Sequence, residues 1–236
     1  MWRCAIGVAP TCSFIIPTLN EAGAIAGLLT ELRAQYPRAQ LVVVDGGSSD
    51  ATCSLAQALC DLLLQSSPGR AAQMNAGLQA ASGDYLFFLH ADSLPSVPES
   101  ALAGYLRASP RWGFCRLRLS GDEWWCRLIS VFINGRSRLT RIATGDQMLF
   151  FQRASLLAAG GFDNQPLMED VAICKRFRRD SRPLVISEPV STSSRRWREY
   201  GVLRTVVTMW GLRLAYFLGV SPQRLWRYYY GGGQDA

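Results

Sequence analysis

Lysine occurs once in this chain, at Lys175, and histidine once, at His90. The formal charge of +7 is therefore carried by arginine. Its planar fork suits bidentate contacts with phosphate, so the charge points to an anionic partner (nucleotide, membrane surface or nucleic acid) or to a basic surface kept for solubility. The seven cysteines, Cys4, Cys12, Cys53, Cys60, Cys115, Cys126 and Cys174, include no CxxC pair. Neither a zinc site nor a disulfide framework is indicated, and buried thiols in a reducing, cytoplasmic compartment are expected. A GxSxG elbow is missing, and a serine triad would have to be built on the lone His90. No GxGxxG follows the first apolar run and no GxxxxGK[ST] occurs, which removes the dinucleotide fingerprint and the P-loop. The arginines are dispersed and no RNP, KH or helix-turn-helix signature accompanies them, so no specific nucleic-acid partner is expected. Uninterrupted apolar runs of the ~18 residues that a membrane span needs are also lacking, because Arg204 and Arg213 divide the greasiest stretch. Pro10, Thr11 and Ser13 break the opening MWRCAIGVAPTCSFIIP, which predicts no secretory signal.

What is present is a composition 49% hydrophobic and 18% charged over 236 residues, enough to bury one core. Short apolar runs alternate with helical patterns: SFIIP, LVVVD, DLLLQ and YLFFL each precede a helix-like segment. Four such units in succession predict an α/β fold with a mostly parallel central sheet covered on both faces. Ligands in such sheets collect beyond the carboxyl ends of the strands. Three runs end there in polar groups: Pro17-Thr18-Leu19-Asn20-Glu21, Asp45-Gly46-Gly47-Ser48 and His90-Ala91-Asp92. Ser96-Val97-Pro98-Glu99 fits a capping box, which makes Glu99 structural. Further on, TGDQMLFF reads as a strand, and Val171, Cys174 and Phe177 recur at helical spacing, putting Glu169-Asp170 on the first turn of a helix. Acids at a helix start are favoured by the dipole, so that pair has a structural explanation too. The boundaries expected are a domain over residues 1–199 and an amphipathic helical tail over 200–236.

Taken in order, IIPTLNE, VVVDGGSSD, GRAAQMNAG, LHADSLP, GGF and PLMED resemble the family 2 glycosyltransferases of GT-A fold, a Rossmann-like fold for nucleoside-diphosphate sugars. The resemblance runs from about Ser13 to Trp197. The VDGGSSD, LHAD, TGDQ and PLMED variants look more narrowly like a bacterial subgroup associated with arsenosugar biosynthesis and radical-SAM neighbours. The resemblance implies that Pro17, Thr18, Asn20 and Glu21 lie along the base and ribose of a nucleotide-sugar donor, that Asp45 contacts the base, and that Arg70 and Asn75 stand beside the pyrophosphate. His90-Ala91-Asp92 stands where the family has its Asp-x-Asp metal motif, which implies Mg²⁺ or Mn²⁺ on Asp92. His90 is left as a ligand, a phosphate donor or a spacer. Glu169-Asp170 matches the acidic pair that supplies the base of inverting members, with Asp170 the first choice and Glu169 the reserve. Asp146 and Gln147 would line the donor or acceptor pocket or hold a strand edge, and Arg195-Arg196-Trp197 resembles a basic-aromatic motif of processive relatives. Gly46 departs from the second Asp of many relatives, and His90 from the first Asp of the metal motif.

Two other classes compete: a sugar nucleotidyltransferase, whose glycine-rich basic loop PTLNEAG lacks, and a non-catalytic anion-binding protein. The acceptor is not legible; a small molecule and a lipid-linked one are both open. WWCRLISVFINGRSRLTR and VLRTVVTMWGLRLAYFLGV interleave apolar residues with arginine, as helices packed on the domain or lying on the inner face of a membrane would.

Overall fold

The structure, a computed structural model, describes residues 10–231. In chain order the elements are β1 (Cys12–Thr18), α1 (Ile25–Gln35), β2 (Gln40–Asp45), α2 (Thr52–Gln57), β3 (Leu62–Gln65), α3 (Arg70–Ala80), β4 (Tyr85–Phe88), β5 (Ser93–Pro95) and α4 (Glu99–Leu106). The second half continues with β6 (Trp112–Leu119), α5 (Trp124–Thr140), β7 (Leu149–Gln152), α6 (Arg153–Ala158), α7 (Glu169–Asp180), β8 (Leu184–Thr192), α8 (Arg195–Tyr200), α9 (Val202–Phe217) and α10 (Pro222–Tyr230). One eight-stranded sheet runs β3-β2-β1-β4-β7-β6-β8-β5. The β3-β2-β1-β4 half is parallel, and the other half is mixed, with β7 antiparallel to both its neighbours and β5 antiparallel to β8.

The apolar runs lack polar alternation because both faces of the sheet are covered. Their side chains divide with the period of two between two cores. Phe14, Ile16, Val43, Phe87 and Phe150 pack with Leu29, Leu32 and Tyr36 on the α1 side. Ile15, Val42, Val44, Leu86, Phe88 and Phe151 pack with Leu78, Phe162 and Phe177 on the α3 and α7 side. Gly77 sets how close α3 comes to β1, since a Cβ there would overlap Ile15 Cγ2.

Two local expectations fail. Helix α4 starts at Glu99 with Pro98 as N-cap and no side-chain cap; the Glu99 carboxylate lies 3.5 Å from Arg38 instead. TGDQ is not strand: Gly145–Gln147 form one 3-10 turn, closed by a reciprocal Thr144–Gln147 capping box, and β7 begins only at Leu149.

The inner edge of β6 has an unusual closure. Beyond Gly113 it no longer pairs with β7, and α5 side chains take over the backbone groups. Asn134 accepts from Leu117 N–H at 2.8 Å and donates to Leu117 C=O at 2.9 Å, and Ser130 Oγ accepts from Leu119 N–H at 3.0 Å. The C-terminal segment is docked as well: Leu212, Leu225 and Tyr216 pack on Met168 and Val171 at the start of α7. Among the described residues no helix is long and apolar enough to cross a membrane, and the described cysteines are all free; Cys4 lies outside the described residues.

Candidate active site

The parallel half of the sheet brings the ends of β1, β2 and β4 to one rim, and α7 and the 3-10 turn close it from the mixed half. At the first two strand ends the polar residues hold each other. Asn20, at φ 55°, accepts from Ser49 N–H at 2.9 Å and donates its own N–H to Ser48 Oγ at 2.8 Å. Buried Asp45 accepts from Gly47 N–H and Ser48 N–H, both at 2.8 Å, and from Ser48 Oγ. Burial opposes ionisation of Asp45, but these donors outweigh it and hold the carboxyl below its usual value. Asp45 thus shapes its own turn, with both oxygens accepting from loop donors. Thr18 is buried against Val44 C=O and Asp45, and Pro17 lies in the β1 ladder opposite Val44.

Arg70, first residue of α3, is the hub. Crowding by protein works against its charge, but Glu169, Asp170 and Asp92 act on it together and raise it above its ordinary value. The charges at the end of β4 and the start of α7 therefore act on one guanidinium, whose residue is exposed to solvent. Tyr230 of α10 is felt there too. Glu21 belongs to the same cluster: burial and then the charge of Asp92 raise its carboxyl, while Arg195 and Arg70 oppose the rise.

Asp170 is held from two sides. Gly145 N–H donates to Oδ2 at 3.0 Å and Val171 N–H to Oδ1 at 2.7 Å. Burial and the adjacent Glu169 charge nevertheless push it up to about 7. Burial also raises Asp146, whose Oδ1 is a buried oxygen without a hydrogen-bond partner. The His90 ring lies on the same turn; a Cβ added to Gly145 would come within 2.5 Å of Nε2. Non-glycine residues with positive φ bracket this region, at Asn20, Met148 and Met168, the kind of backbone strain that collects at working sites.

Several residues expected at ligands also have partners within the protein. The Asn75 amide bridges the backbone of Phe162, donating to its C=O at 2.9 Å and accepting from its N–H at 2.8 Å; it ties α3 to the loop before α7 and keeps one amide N–H for a further acceptor. Gln147 is fully buried, bonded to Ser137 Oγ at 2.6 Å, and holds the turn without lining a pocket. Trp197 packs with Leu117, Leu119 and Ile129. Arg195 is exposed and felt at Glu21, while the Arg196 side chain lies outside the described residues. Arg136 escaped the sequence reading: burial lowers its guanidinium and Asp146 and Asp170 raise it. The signal was available, since an arginine three residues after Ile133 falls on the inward stripe of α5.

For a divalent cation the residues offer Asp92, an exposed carboxylate whose charge acts on both Glu21 and Arg70. Among the described residues no three His, Cys, Asp or Glu side chains gather as a ready cluster. This donor set fits a hard cation carried by one or two carboxylates together with substrate phosphates.

Comparison with known proteins bears on this geometry. Residues 13–99 match Glycosyl transferase family 2. An uncharacterized glycosyltransferase of Mycobacterium tuberculosis is 36% identical over 126 residues, 48% of each chain. A PGL/p-HBAD biosynthesis glycosyltransferase of Mycobacterium bovis is 37% identical over 92 residues, 36% of each chain. The chain thus spans about half the length, or less, of these curated relatives. The mannosyltransferase of Pyrobaculum calidifontis, solved with GDP-Man and Mn²⁺, superposes with a TM-score of 0.59 at 25% identity over 79% of this chain and 57% of its own. S. aureus TarS with UDP-GlcNAc gives 0.60 at 20% identity, over 78% and 58%, a likeness of fold. The fold is of the GT-A glycosyltransferase type.

Proposed function

We propose that this chain, with its family 2 glycosyltransferase region at residues 13–99 set in a GT-A fold, moves a sugar from a nucleoside diphosphate donor to an acceptor hydroxyl with inversion. The observation that carries the reading is that the charges of Glu169, Asp170 and Asp92 all act on Arg70, while Asp170, held by the Gly145 and Val171 N–H groups, is raised to about 7. A general base works best near the operating pH, and burial beside a second carboxylate is how an aspartate reaches that value. In the transfer the acceptor oxygen bonds to the anomeric carbon, its proton passes to Asp170, and the bond to the diphosphate breaks with the electron pair leaving on the phosphate oxygen. Asp92 would hold Mg²⁺ or Mn²⁺, with Glu21 beside it. When bound, that cation supplies charge neutralisation at the departing diphosphate. Arg70 adds fixed positive charge at the same place. The orphaned Asp146 Oδ1 suits a sugar or acceptor hydroxyl, since a buried acceptor without a partner is costly unless a ligand completes it.

Neighbouring structures that hold GDP-Man with Mn²⁺ or UDP-GlcNAc define the test. UDP, GDP and their sugars are screened for a rise in melting temperature with and without Mn²⁺ or Mg²⁺. A ligand at a hundred times its Kd adds about 2.7 kcal/mol to the native state. The expected result is a metal-dependent rise with one nucleotide family. A cooperatively melting protein that shifts with none of them refutes the proposal.

A further inference from the structure

The largest feature that the acid cluster leaves unexplained lies on α5 and α9. Helix α5 packs Cys126 and Ile129 inward, yet turns Trp124 (74% exposed), Leu128, Val131, Phe132 and Leu139 (86%) to solvent. Helix α9 packs Met209, Leu212 and Tyr216 inward, with Leu203 (76%), Val207, Trp210 (64%), Leu214 and Phe217 outside. Spacings of three and four residues put each set on one side of its helix. Trp125 and Val202, near the starts of the two helices, meet in one cluster. Ile142, just past α5, joins Met209 and Leu212 in another. The two helices therefore traverse the same side of the domain. Exposed apolar faces of this kind are rare on monomers and mark a partner.

Charge selects the partner. Helices α5, α9 and α10 contain arginines, among them Arg127, Arg138, Arg204, Arg213 and Arg227, and no acidic residue. A second copy would set arginine against arginine. An anionic bilayer offers opposite charge to the arginines and an apolar phase to the leucines and tryptophans between them. The geometry points to this face as an in-plane docking surface for a bilayer containing anionic lipid. A groove of about 610 Å³ supports the choice. Its lining includes three arginines, Arg116, Arg118 and Arg127, against one acid, Asp122, and also Val131, so two residues of the docking face line it. Ser120 and Ser191 are shared between this groove and the recess at Asp92. Docking here places phosphate headgroups against the arginines and leads from the membrane toward the rim.

The test is vesicle flotation of the full chain, with vesicles of phosphatidylglycerol mixed with phosphatidylcholine and of phosphatidylcholine alone. The protein is expected to float with the anionic vesicles and to be released in part by high salt, as screening weakens the charge contribution. The triple variant L203Q/W210Q/L214Q, whose positions are exposed, should melt as the wild type does and lose roughly tenfold in bound fraction. Wild type left at the bottom of the gradient overturns the inference, as does a triple variant that floats equally well. So does a wild-type dimer that the triple variant abolishes without any vesicle binding. The inference is independent of sugar transfer: flotation without any nucleotide response would sink the proposed function alone.

Discussion

Replacing Asp170 with asparagine separates the proposed base from an ordinary helix-start acid. In the folded chain Asp170 is raised from 3.8 to about 7, so the native state keeps a proton that the unfolded chain releases. Its contribution to stability is therefore intact below the unfolded value, is lost as pH rises from about 4 to 7, and stays lost above. At 1.36 kcal/mol per unit the loss is at most about 4 kcal/mol, less because the burden is shared with Glu169. The amide of the D170N variant cannot ionise and escapes it. Both Asp170 oxygens accept backbone N–H groups, from Gly145 and Val171, however, and an amide can satisfy only one; the mismatch costs about 1–3 kcal/mol. Urea titrations from acid to alkaline pH should then cross, with D170N the less stable protein near pH 4 and equal to or more stable than wild type near pH 9. Transfer should fall by about 10² to 10⁴-fold, the usual worth of a general base. Wild-type turnover should rise with pH to a plateau above about 7, a rise the variant lacks. Parallel stability curves, or transfer by D170N within a few-fold of wild type, would refute the reasoning.

Asp92→Asn should abolish the metal-dependent part of nucleotide binding, seen as loss of the melting shift with Mn²⁺, while the unliganded protein melts as before because the side chain is exposed. Gly145→Ala should press on His90 Nε2 and displace the N–H that holds Asp170; roughly a tenfold or greater fall in kcat is expected with nucleotide affinity retained, measured by initial rates and titration. Asn75→Ala should lower stability by about 1–3 kcal/mol in denaturant melts, because the Phe162 N–H and C=O lose their partner.

The strands of the parallel half are readable in the sequence because a strand buried on both faces has to be an apolar run, and the rim follows from their shared direction. Strand β5 is not readable: three residues, Ser93–Pro95, pair with β8, a contact nearly a hundred positions away with no periodic trace. The amides of Asn75 and Gln147 are ambiguous for another reason. A polar side chain inside a motif serves a ligand or the backbone equally well, and only the fold shows that Phe162 and Ser137 have claimed them. Glu99 fails as a cap because α4 begins at Glu99 itself with Pro98 as N-cap, which leaves Ser96 outside the helix. That the charges of Asp92 and Asp170 both reach Arg70 follows from the fold and is encoded by no spacing along the chain.

The clasp between α5 and β6 has a consequence for anyone who grafts or trims this protein. Asn134 and Ser130 shut the strand's bare edge, and Ser137, one helical turn on, grips Gln147 in the turn that donates to Asp170. A transplant that kept only the greasy positions of α5 would leave an open ribbon for neighbouring chains to zip onto. It would also cut the polar thread that keeps the outer surface and the acid pair in step.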